Sequence, residues 1–221
     1  MLEDMVSSLS KLLALLCVLL PAAAQAEGVP PALYRAAQGP ELAAQIEIRA
    51  DGHFDYALAY GALDEHAEGL WTKTDTGIAL TTQPKPKPPE FRLDHQGRAG
   101  DAPFALLVRW PDGRGIAGVD FRLGLADGSE ITGYTQDYGW RLGDPEKGKP
   151  VWIELAEPMH GFTSPRFPIA AETHSMTVTL VPNDMGVAAF DGTLFESGGE
   201  GAYLLHHPRG DIRFRAISPR S

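Results

Sequence analysis

DGHFDYALAYGALDEHAEGLWTKTDTGIALTT, residues 51–82, carries the pattern that decides the fold. Asp51-Gly52 supplies a turn, because glycine takes a positive φ at no steric cost. Phe54, Tyr56, Leu58 and Tyr60 then alternate with His53, Asp55, Ala57 and Ala59. A period of two predicts a strand with a bulky face for a core and a small or polar face opposite. Gly61 interrupts that regularity, and residues 62–67 read as a loop or a single helical turn. A strand resumes over 69–73, Thr74-Asp75-Thr76-Gly77 turns the chain, and 78–82 returns it, so the whole reads as an antiparallel meander. Three or four strands alone leave two open edges and little core. Phe54, Tyr56, Leu58 and Trp71 are therefore expected to pack against Phe190, Phe195, Leu204 and Phe214, more than a hundred residues downstream.

Outward from this stretch the same grammar recurs. Residues 41–50 place Ile46, Ile48 and Ala50 on one side of a strand, with Glu47 and Arg49 on the other; residues 27–39, rich in Ala, Pro and Gly, read as a lead-in. The four prolines within 83–89 remove ladder donors and predict an extended spacer. The polar run that follows it, 91–102, reads as a linker. Strands are predicted over 104–110, 116–125, 130–135 and 151–155, with turns at Asp112-Gly113 and Asp127-Gly128. After Pro165 and Pro168 come hairpins: 176–181, then 187–190 and 193–195 flanking Asp191-Gly192, then 202–206 and 212–216 flanking Pro208-Arg209-Gly210-Asp211. With 24 Gly and 18 Pro and no helical periodicity, the chain is expected to be all-β.

The first 26 residues have the layout of a secretory signal peptide: Lys11, an apolar run over 12–20, then Ala24-Gln25-Ala26 as a cleavage triplet. The run is too short for a stable membrane span. The protein is thus expected to be periplasmic or secreted, with no stable span once the leader is removed. The single cysteine, Cys17, lies in the leader. The rest of the chain has no thiol for a disulfide, a nucleophile or a metal site and must rely on core burial. Nineteen Lys and Arg against 29 Asp and Glu, a net charge of −10, disfavour nucleic acid and anionic membranes as partners.

Residues 115–140 run Gly115-Ile116-Ala117-Gly118-Val119-Asp120-Phe121-Arg122-Leu123-Gly124-Leu125-Ala126-Asp127-Gly128, then Gly133-Tyr134-Thr135-Gln136-Asp137-Tyr138-Gly139-Trp140. This resembles the carboxypeptidase regulatory-like, transthyretin-like β-sandwich pattern, in which a G-V-x-V strand leads to a D-G turn and a G-x-T-x-D-x-G segment closes the hairpin. The resemblance covers 103–160 and implies a module that is usually non-catalytic and serves folding, anchoring, or sugar and protein binding. The stretch 142–150 is an insertion relative to compact members. Residues 46–82, with D-G-x-F-x-Y, G-x-W and I-x-L, together with Gly201–Leu205 and Ile212–Phe214, resemble small lipocalin-like barrels. The expected architecture is all-β: a transthyretin-like antiparallel sandwich inserted in, or following, a small barrel-like meander. Its divisions are a leader (1–26), a meander (27–90), a linker (91–102), a sandwich (103–165) and hairpins (166–218) that complete the 27–90 unit.

Two clusters are candidate sites. Asp64, Glu65, His66 and Glu68 offer carboxylates and an imidazole for acid/base work or metal binding, although a solvated loop is the simpler account of them and their irregular spacing counts against a metal. Tyr134, Asp137, Tyr138 and Trp140 form an aromatic-polar stretch suited to sugar or peptide contacts, and Tyr56 and Tyr60 are placed to line a pocket mouth. His206 and His207 are adjacent, so on a strand they point to opposite faces and make no metal pair. No zincin, nucleophile-elbow, P-loop or dinucleotide motif is present, and no cofactor is expected. The expected role is a non-catalytic binding or accessory module of the cell envelope, with a sugar, a lipid or an envelope protein as partner. The alternatives are a hydrolase using the 64–68 cluster and a structural envelope protein.

Overall fold

A computed structural model describes residues 28–36, 39–98, 103–143 and 148–217; the leader lies outside them. Every regular element among the described residues is a strand. In chain order these are β1 (Ala32–Ala36), β2 (Leu42–Ile48), β3 (His53–Tyr60), β4 (Leu63–Lys73), β5 (Gly77–Thr82), β6 (Glu90–Gly97), β7 (Ala105–Arg109), β8 (Asp120–Leu125), β9 (Glu130–Tyr134), β10 (Trp140–Arg141), β11 (Pro150–Glu157), β12 (Phe162–Thr163), β13 (Phe167–Pro168), β14 (Ser175–Val181), β15 (Asp191–Gly199), β16 (Ala202–Leu205) and β17 (Ile212–Ala216).

Eight of them close a barrel in the order β1-β17-β16-β15-β5-β4-β3-β2. Two pairings close it. β1 pairs with both β2 and β17, and β5 pairs with β15 through Leu80↔Thr193, Ala79↔Leu194 and Ile78↔Phe195. The lead-in expected at 27–39 thus contains a barrel strand, whose Tyr34 is fully buried and donates its hydroxyl to the Pro30 carbonyl. The expected long-range core is present: Phe54, Tyr56 and Leu58 share one cluster with Phe190, Phe195 and Phe214, and half-buried Trp71 packs on it. Leu204 is not part of it; alternation along β16 turns its neighbour Tyr203 inward instead. Tyr34 meets Phe195 and Tyr203 edge-on, at 5.1 and 4.8 Å between ring centres, and Phe195 meets Phe214 at 5.7 Å. The barrel axis is thus filled by its own side chains.

Residues between the two halves of the barrel form two further sheets, β10-β7-β14-β6 and β12-β11-β8-β9, with β13 also on β11. Phe91, Val108, Phe121, Ile153, Leu155 and Val178 meet in one core lined from both sheets. Two expectations give way here. The stretch read as linker contains most of β6, and β14, grouped above with the terminal hairpins, pairs with β6 antiparallel and with β7 in parallel. Polar residues hid β6 because one of its faces is solvated and carries Arg92 and Asp94.

The barrel part differs from expectation in three further places. Residues 63–68 are strand, not loop: β4 runs unbroken, with Gly61-Ala62 as the turn before it. Asp191-Gly192 is a bulge inside β15, not a hairpin turn; Gly192 has φ 70° and the β5 register shifts there. A D-G pair signals positive φ, which bulges and turns both need. Residues 187–190 form no strand. They run beside the first half of β4, where His66 N–H donates to Gly186 O (2.9 Å) and Ala188 N–H to His66 O (2.8 Å). Thr82 secures the end of the run, its hydroxyl donating to Ala188 O (2.7 Å) and accepting from Phe190 N–H (3.0 Å). The proline spacer is tied to this return path: Lys87 N–H donates to Asp184 Oδ2 (2.7 Å) and Asn183 Nδ2 to Pro88 O (2.8 Å).

Two outcomes follow for stability. Phe195→Ala leaves a cavity among three rings and is expected to cost about 3–5 kcal/mol in urea unfolding. Ending the chain at Val181 removes β15–β17 and is expected to abolish the circular-dichroism melting transition of the barrel; a truncated chain whose meander still unfolds cooperatively contradicts closure through β5–β15.

Candidate functional site

Strand alternation divides the 64–68 cluster. Asp64, His66 and Glu68 face solvent, whereas Glu65 points inward between Leu63 and Ala67 and is buried. The four side chains therefore do not converge. A buried carboxylate requires partners, and Glu65 finds them in the connection between β16 and β17. Its Oε1 accepts from Arg209 Nε at 2.9 Å, and its Oε2 lies 3.1 Å from His207 Nε2.

The tautomer of His207 follows from its surroundings. Arg209 N–H donates to Nδ1 at 3.2 Å, so in the neutral ring the proton sits on Nε2, facing the carboxylate. The His207–Glu65 contact is close but poorly directed. It leaves Glu65 Oε2 and His207 Nε2 without a well-formed hydrogen bond, and Tyr56 Oη beside them has none. The His207 contact, followed by the charge of Arg209, holds the Glu65 carboxyl below its ordinary value of 4.5 despite burial. Burial, and then the Glu65 charge, push the Tyr56 phenol up, so it stays protonated.

Arg209 also reaches out of the barrel. Its Nη1 donates to Met159 O (2.9 Å) and its Nη2 to His160 O (3.0 Å), both in the turn after β11. Glu157 shapes that turn by accepting from His160 N–H (2.7 Å), with His160 Nδ1 at 3.0 Å from the same oxygen. Glu65 and Arg209 thereby couple the barrel to the inserted sheets. His206 points the other way, into solvent, between Glu196 Oε1 and Asp211 Oδ1, each 3.1 Å away.

Two cavities share Arg209 as a wall. One, of about 290 Å³, opens at the barrel end among Leu42, Leu58, Tyr60, Leu63, Ile212 and His207. The other, of about 170 Å³, lies between barrel and insertion, against Glu65, His160, Phe162, Met185 and the prolines of the spacer. Tyr60 thus lines the first cavity and is exposed, while Tyr56 is buried with its ring 5.1 Å from that of Phe190. The other aromatic candidates are elsewhere. Tyr134 lies on the outer face of β9, Asp137 and Tyr138 are exposed in the tight turn 136–139, and Trp140 packs on Phe121 at 4.7 Å. No group of three or more metal-ligating side chains is found among the described residues.

His207 and Arg209 escaped the sequence reading because they lie in a turn and because 62–67 was taken as irregular. The legible signal was the phase of Leu63-x-Glu65-x-Ala67: a carboxylate in register with apolar neighbours calls for a buried cation or donor. In comparisons with known proteins, no family model, no curated protein and no solved structure matches the chain.

Glu65→Gln is expected to cost about 1.5–3 kcal/mol at neutral pH, because it weakens charge-assisted hydrogen bonds. The sign of its pH dependence is fixed. With its folded value below 4.5, the carboxyl contributes fully above 4.5 and loses that contribution as pH falls through the folded value. Urea midpoints of the wild type and the variant should therefore converge in acid; a gap independent of pH contradicts an ionised Glu65.

Proposed function

We propose that the protein is an exported, non-catalytic binding module of the cell envelope whose barrel end takes a small, neutral, largely apolar molecule. The observation that carries this reading is the cavity of about 290 Å³ at the Tyr60 end, walled by Leu42, Leu58, Leu63 and Ile212, with His207, Arg209 and Asp211 as its polar side. Apolar walls with a few placed polar groups are the usual form of a ligand pocket, and barrel mouths are a favoured place for one. The lipid-like branch of the expected ligands fits these walls better than a sugar does. The solvent-facing directions of Asp64, His66 and Glu68 weigh against the hydrolase reading, which needs them in one cleft with Glu65. The resemblance of 103–160 to regulatory-like sandwich modules belongs to the same reading, and two sheets on one apolar core agree with it.

Fluorescence of the neutral probe N-phenyl-1-naphthylamine tests the proposal. Saturable enhancement is expected, with displacement by 1-octanol. Leu42→Trp, which fills the mouth, should abolish it, and Tyr60→Ala should weaken it. Absence of saturable binding, or binding indifferent to both changes, overturns the proposal.

A further inference from the structure

We propose that the outer face of β11-β8-β9 is a second, independent binding site, for a neutral oligosaccharide. The ladder registers set three cross-strand rows on this face: Ala156–Asp120–Tyr134, Glu154–Arg122–Thr132 and Trp152–Gly124–Glu130. The third row is closed. A Cβ on Gly124 would sit 2.1 Å from the Trp152 indole, so that ring lies flat across the strand, and the Arg166 guanidinium covers it at 4.0 Å. The middle row is paired: Arg122 binds Glu130 at 2.8 Å, and Glu154 accepts from Arg166 Nε at 3.1 Å.

The first row is open. Ala156 is a small residue among long ones, and a trough of about 460 Å³ lies along the first two rows. Tyr134 is 60 % exposed, although aromatic side chains usually bury their rings. The carboxylate of Asp120, directly across from it, is the one charge of the trough with no hydrogen-bond or ion-pair partner among the described residues.

An exposed ring beside a free carboxylate matches the two chemistries of a pyranose. The C–H face of the sugar lies on the ring, and neighbouring hydroxyls donate to the carboxylate. Thr132 and the guanidinium edge of Arg122 extend the polar side, and Ala156 leaves room for the next ring. A peptide added as a strand would instead use the open backbone edge of β9, where none of these side chains matters.

The test is calorimetric titration of the whole chain with chitohexaose and with maltohexaose, each variant first checked by circular dichroism. At least one sugar is expected to bind. Tyr134→Ala and Asp120→Asn should each weaken binding about tenfold or more. Ala156→Leu, which fills the trough from the solvent side, should abolish it, while Tyr134→Phe keeps the ring and should retain it. The proposal is overturned if neither sugar binds, or if binding survives both Tyr134→Ala and Ala156→Leu. Loss on Leu42→Trp instead would also overturn it and would place the sugar in the barrel.

Discussion

The pairing of β5 with β15 is the constraint on which the structure depends. Before it forms, β1–β5 is a meander and β15–β17 a short hairpin ladder, each with open edges and a one-sided apolar face. Joining Ile78 to Phe195 across the sheet, and Tyr34 to Ala216 at the other seam, closes both ends of the strand order and places Phe54, Phe195 and Phe214 in one interior. The entropic cost of the long connection grows only logarithmically with its length. The inserted sheets can therefore sit between the two halves, because they bury their own apolar residues: the barrel core and the second core share no residue.

The insertion also completes the barrel locally. β5 pairs with β4 only over Gly69–Lys73, so the first half of β4 has no strand on that side. The return path through residues 186–190 covers that seam and leaves Phe190 and Ala188 buried against the barrel core. Glu65 lies in this half of β4. Its carboxylate is therefore within reach of both the β16–β17 connection and the turn after β11, and Arg209 links all three. The polar cluster arises at the place where two independent cores are stitched together.

Much of this was legible in the sequence. Alternation named the strands, the one-sided face of residues 53–60 required distant partners, and the D-G pairs marked positive φ. What the sequence hid has physical causes. β6 has one wet face and few apolar residues, and β1 is a strand of five residues inside an Ala-, Pro- and Gly-rich stretch, so both resemble connections. A D-G pair does not distinguish a bulge from a turn, and the break at Gly61 looked longer than it is. At the site, Tyr60 lies on the face of β3 that carries the core residues, at the strand end where it lines the cavity. His207 and Arg209 were not legible, because the fold brings a turn residue to a carboxylate more than 140 positions away, and local periodicity holds no record of that distance.

Electrostatics at the barrel end then constrains what the proposed pocket accepts. Arg209 already engages Glu65 through Nε and two carbonyls through Nη1 and Nη2. An anionic head group would have to compete with an ionised, buried carboxylate for that guanidinium, leaving Glu65 uncompensated. A cationic one would compete with His206 for Asp211 at the cavity wall and would have to surrender its own hydration among leucine walls. A neutral molecule disturbs neither pair. Arg209 is thus held by Glu65 and Asp211 by His206, so that selection at the cavity falls to shape, apolar contact and hydrogen bonding.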